Sequence, residues 1–185
     1  MSKIIDNMTK KSEEVKQKLT MWLTEENLFD NSIPPQKGLI FGFLFRFPPK
    51  SPAMYSVAVQ ENMPDSVMLA RGVKTSPEHQ DIIKNWKPKM RNEFLADFLM
   101  NLHRYNINFR IQYQDDTLLG FNVATRIFME SLTKAEFWRA VTTLQNASQS
   151  SILQIQRSTH TFSMRPPPGD PLSLKKPQDT TGMFG

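Results

Sequence analysis

An α+β fold, with an antiparallel sheet of about five strands flanked by helices, is what the sequence predicts. Three observations lead there. Apolar residues recur at helical spacing near both ends of the chain and again in its middle. Between those stretches the apolar period drops to two. The period-two stretches are joined by short connections rich in Pro, Asn and Asp, as in an antiparallel meander.

The elements follow in order. Residues 12–26 read as a helix, with Val15, Leu19, Trp22 and Leu23 on one face and Ser12 as its N-cap. A loop containing Pro34 and Pro35 ends it. In "GLIFGFLFRF", Phe41, Phe43, Phe45 and Phe47 share one face, with Ile40, Gly42, Leu44 and Arg46 on the other. Both faces are largely apolar, which predicts a central strand or one covered twice. "AMYSVAVQ" alternates next, then "ENMPDS" turns the chain into "VMLARGV". Ser76-Pro77 opens a helical region, Ser76 as N-cap and Pro77 where its missing N–H costs nothing. Trp86-Lys87-Pro88 interrupts it. The second part, 89–105, carries a ladder of Met90, Phe94, Phe98 and Leu102. "INFRIQYQ" alternates with Asn108, Arg110, Gln112 and Gln114 on a polar face. Asp115-Asp116 turns into the last strand, "LLGFNVATRIFM". Thr133 and Glu136 then match a capping box at the start of a long helix running to about residue 157.

Beyond it, "SMRPPPGDPLSLKKPQDTTGMFG" holds five Pro and loses all period. The expected organisation is a flexible N-terminus at 1–11, one domain at 12–158 and an extended Pro-rich tail at 159–185. A chain of 185 residues with thirteen Phe can fill one core.

Composition excludes several chemistries. Cys is absent, so disulfides, thiolate nucleophiles and zinc–thiolate sites cannot form. With no leader of secretory type, a cytoplasmic setting is expected. The longest apolar run, from Gly38, is a strand and far short of the ~20 residues of a membrane helix. No GxSxG, GxxxxGK[ST] or HExxH pattern occurs. The histidines, His79, His103 and His160, lack metal-ligand spacing. No catalysis, cofactor or metal is expected.

The net charge of +5 suits an acidic partner or nucleic acid. Candidate contact residues are Arg71, Arg110 and Arg126 on the sheet, and Phe137 and Val141 on the long helix. An open sheet face, a free edge and an apolar helix stripe suit protein or peptide binding. Phosphate contacts from the three arginines would instead suit RNA or a ribosome-like surface.

"ARGVKTSPEH" (Ala70 to His79) and "TRIFMESLTKAEFWRAVTTLQNA" (Thr125 to Ala147) carry a resemblance. On them the chain resembles a conserved, functionally uncharacterised archaeal family, over roughly Ser12 to Arg157. The element order α-β-β-β-α-β-β-α is similar to that of type III secretion chaperones. The resemblance implies an antiparallel sheet flanked by helices, often dimeric, that binds an extended protein segment, and it does not imply catalysis. The expected role is therefore a chaperone-like or adaptor protein acting through its sheet face, long helix and tail.

Overall fold

A computed structural model describes residues 2–163. The Pro-rich stretch from Met164 onward, and any partner contact expected of it, lie outside the described residues. The element order is α1 (Ser2–Glu25), β1 (Phe29–Ser32), β2 (Leu39–Arg46), β3 (Met54–Gln60), β4 (Met63–Lys74), α2 (Pro77–Lys84), α3 (Pro88–His103), β5 (Asn108–Gln114), β6 (Thr117–Phe128) and α4 (Lys134–Ser163). One six-stranded sheet runs β1-β2-β3-β4-β6-β5, with every neighbouring pair antiparallel.

The sixth strand, β1, falls within the loop expected between the first helix and the Phe-rich strand. Its residues, "FDNS", are all exposed and do not alternate, so no period marks them. It pairs with β2 through Phe29↔Phe45 and Ser32↔Phe43 and forms one edge. The expected turn "ENMPDS" is also narrower than its composition suggests. Gln60 pairs with Met63, so Glu61 and Asn62 alone make the turn and β4 begins before Pro64. At the other hairpin, Asp115 and Asp116 both take positive φ, at 48° and 63°. Short Asx side chains tolerate that region, and a two-residue loop of this kind matches the strand twist.

Helix ends follow local chemistry. The Ser76 side chain accepts from the His79 backbone N–H, as its N-cap position requires, and Pro77 is the first helical residue. Thr133 Oγ1 accepts from the Glu136 N–H at 3.1 Å at the start of α4. At the end of α1, Asn27 adopts φ 55° and the Leu28 N–H bonds to the Leu23 carbonyl at 2.8 Å, which stops the helix. Two boundaries differ from expectation. No Gly or Pro falls between Ser2 and Glu25, so α1 runs back across the expected flexible N-terminus and Ser12 is buried within it instead of capping it. α4 continues through 159–163, since Ile155 and Thr159 stay in helical phase and both are buried.

Among the described residues, the helices pack on one face of the sheet. α1 packs on β1, β2 and β4, α4 on β4 and β6, α2 on β6, and α3 leans on α4. The inner face supplies Phe41, Phe43, Phe45, Tyr55, Val57, Val59, Val67, Leu69, Phe121 and Val123, all buried. Against it lie Leu19, Trp22 and Leu23 of α1 and Phe137, Val141 and Leu144 of α4. Each such large side chain contributes roughly 1.5–3 kcal/mol by leaving water. The centre is aromatic: Phe137 sits 5.9 Å from Trp22 and 6.0 Å from Phe45, and Phe45 stacks on Tyr55 at 5.4 Å. No helix among the described residues is long and apolar enough to cross a membrane.

Candidate functional site

Among the described residues, one-sided helix packing leaves the other face of the sheet open, and strand pairing places its residues in rows. Leu44, Ser56, Ala70, Ala124 and Asn108 stand side by side across β2, β3, β4, β6 and β5. The next row is Gly42, Ala58, Met68 and Arg126. On the other side, Gly72, Asn122 and Arg110 form a third. Six of these side chains are Gly, Ala or Ser, so the middle of the face is a shallow trough. The Asn122 amide lies close over Gly72, where an added Cβ would sit 2.9 Å from its Oδ1. Ile33, just past β1, covers Gly42 in the same way at 2.8 Å. That contact explains why the β2 outer face is apolar.

Larger side chains rim the trough. Ile40 is 43% exposed and Phe128 48%. The Arg126 guanidinium lies 4.6 Å from the Phe128 ring centroid, and its Nη1 reaches Met63 Sδ at 3.7 Å. A cation over an aromatic ring on an exposed sheet contributes on the order of 0.5–1 kcal/mol. Arg46 pairs with Asp30 at 3.0 Å at the β1 edge. Along β2, β3, β4, β5 and β6 the outward positions from Gly42 to Phe128 include Arg46, Lys74, Arg110 and Arg126 and no carboxylate. The face is thus apolar at its centre and positive around Lys74, Arg110 and Arg126, while Asp30 neutralises Arg46 at the β1 edge.

The five candidate residues separate. Arg110 and Arg126 share the open face and are both exposed. Arg71 does not join them. It is 8% exposed, in phase with Val67 and Leu69, and donates from Nη1 to the Tyr55 hydroxyl at 3.0 Å. Burial pushes the Tyr55 phenol above its usual value, and nearby Arg71 opposes that shift in part. Phe137 and Val141 are fully buried against the sheet, so their contacts are internal and they offer nothing to a partner. The residues missed were the small and apolar outward ones: Leu44, Ala58, Met68, Ala70, Ala124 and Phe128. Their signal was present, because outward positions of β4 and β6 alternate with the core set yet are mostly uncharged.

Other constellations are structural. Asp116 holds Arg91 Nη2 at 2.7 Å, and Arg91 also donates to the Lys84 and Trp86 carbonyls, tying the β5–β6 hairpin to the start of α3. His79 Nδ1 lies 2.8 Å from Ser76 Oγ and belongs to the helix cap. Among the described residues, no three His, Asp or Glu side chains converge to hold a metal.

The fold recurs in a crystal structure of an uncharacterized protein from Methanothermobacter thermautotrophicus, with a TM-score of 0.73 at 21% identity, over 77% of this chain and 96% of that one. Two further structures overlap less closely. The crystal structure of the ExsC–ExsE complex gives a TM-score of 0.40 at 16% identity over 62% of this chain and 76% of that one. That of YbjN from E. coli gives 0.39 at 13% identity over 78% and 92%. No curated protein sequence matches the chain. Residues 15–155, from α1 to well into α4, match one family along its length, and the chain therefore belongs to the uncharacterized conserved proteins of family DUF2299.

Proposed function

We propose that the chain is a cytoplasmic, non-enzymatic protein-binding module of chaperone or adaptor type, from an archaeal lineage of its family. The observation that carries the reading is the six-stranded sheet with helices on one face alone. Its bare face has an uncharged trough and cationic margins. An extended segment with small apolar side chains and flanking carboxylates fits both. The edge of β5, which among the described residues pairs with β6 alone, offers backbone groups to the same segment. A second copy of the chain fits less well, because it would bring the same arginines, Arg110 and Arg126, and no outward carboxylate from β2 to β6 to meet them. The homodimer suggested by the chaperone resemblance is therefore secondary to a different partner chain.

The test compares two baits. Wild type and an Ala70→Arg, Ala124→Arg variant are purified from the native cell under the same conditions. Proteins retained by the wild type and lost from a folded variant support the open face. Identical retained sets overturn it.

RNA is the second reading, favoured by Arg126 lying over the exposed Phe128, where a base could stack. Affinity that falls steeply between low and moderate salt, with loss in Arg126→Gln, would support it. Absence of any RNA shift at low salt removes it.

A further inference from the structure

Among the described residues two arginines are buried, and their surroundings differ. Arg91 and Arg71 are each 8% exposed. Arg91 has a carboxylate at 2.7 Å and two backbone carbonyls. Arg71 has the neutral Tyr55 hydroxyl at 3.0 Å and the Tyr55 ring 5.1 Å from its guanidinium carbon. Among the described residues, no carboxylate lies within ion-pair distance of it. A guanidinium carries five N–H donors, and a buried cation without a counter-charge is costly.

Arg71 also lines a cavity of about 550 Å³. The cavity opens between the β2–β3 loop, the C-terminal end of β4 and the flank of α4. Phe47, Pro52 and Ile152 give it apolar wall, and Gln145 and Gln149 bring two amides. Lys74 stands at the same end of β4 and adds positive charge. Small-molecule sites have this volume and this mixture, mostly apolar with a few convergent polar groups.

We propose that this cavity binds a carboxylate carrying a short apolar body. The guanidinium of Arg71, oriented by Tyr55, takes the carboxylate through paired N–H···O bonds. Phe47, Pro52 and Ile152 hold the body, and the Gln amides meet its remaining polar edge. The cavity reaches from the flank of α4 to the end of β4, where Gly72 and Lys74 form part of its rim, and its dependence on Arg71 and Ile152 distinguishes binding here from binding in the trough. The carboxylate could belong to a free metabolite or to an acidic side chain of a bound peptide.

The full chain would be titrated with butyrate, phenylacetate, N-acetylglutamate amide, butanol and inorganic phosphate, following the Arg71 Nε–Hε resonance and the heat of binding. Saturable binding of the carboxylates, with none of butanol, is expected. Preference for butyrate or phenylacetate indicates a free ligand, and preference for the capped glutamate a peptide side chain. Arg71→Met should weaken binding by about tenfold or more, the scale of one charge-assisted pair. Should that variant not fold, Ile152→Trp fills the cavity with Arg71 left in place and should also abolish binding. No saturable carboxylate binding, equal binding by the cavity-filled variant, or tighter binding of phosphate than of any carboxylate would overturn the proposal.

Discussion

Phe137 shows how burial decides the role of a residue. It touches Trp22, Phe45 and Trp138 at ring-centroid distances of 5.9, 6.0 and 4.9 Å and is fully buried. Phe137→Ala should therefore lower stability by about 3–5 kcal/mol in urea unfolding, the range for a large aromatic cut from a core. Tyr55 carries a pH prediction. Its phenol titrates above the ordinary 10.0 because burial disfavours the phenolate. Above pH 10 the unfolded chain loses that proton while the folded chain keeps it. Ionisation of Tyr55 should thus leave stability unchanged at neutral pH and lower it as pH rises past 10. Lys134, raised by its hydrogen bonds to Glu25 and Glu26, acts in the same direction. Urea midpoints from pH 8 to 11, for wild type and Tyr55→Phe, would check this; equal alkaline slopes in both would refute the Tyr55 contribution. Arg71 was legible in principle. It falls in phase with Val67, Leu69 and Val73, so alternation alone put it on the core side. Its charge suggested a surface instead. Arg110, in phase with Asn108 and Gln112, obeyed the same rule in the outward direction.

Elements were legible where period or punctuation was strong. Ser76-Pro77 and Thr133-Glu136 marked helix starts because caps are local chemistry. β1 was not legible, since its side chains meet water on both sides and its place comes only from pairing with β2. The starts of α1 and the end of α4 ran past expectation for the converse reason: helix continues until something stops it. Gly120 makes the element-scale prediction. It faces Lys74 on β4, and a Cβ there would come 2.4 Å from the Val73 carbonyl oxygen. Neither partner is a flexible side chain, so backbone must shift. Gly120→Ala should cost about 1–3 kcal/mol, as overpacking does, and should weaken protection of the Thr75 amide, which bonds to the Leu119 carbonyl. Hydrogen exchange at Thr75 would show it; unchanged exchange and stability would refute the tight approach.

At the scale of the whole molecule, the helices form one layer and the sheet the other. Sequence patterns disclosed both layers but not that every helix lies on the same side, because topology is not written in any local window. The open face followed only once β4 was seen paired to β6, bringing Ala70 beside Ala124. Substitutions there should leave the fold intact. Ala70→Ser and Ala124→Ser should change the urea midpoint little, within the roughly ±0.5 kcal/mol usual at surface sites, while Val57→Ser, one residue from the outward Ser56, should be severely destabilising. Similar losses at all three positions would show that the outer face is covered.

That alternation has an evolutionary consequence. On each strand, odd and even positions answer to different constraints: one set must keep the core filled, the other meets only what arrives from outside. A lineage can therefore rewrite Ala70, Ala124, Arg126 and their neighbours without renegotiating the interior that keeps the chain folded.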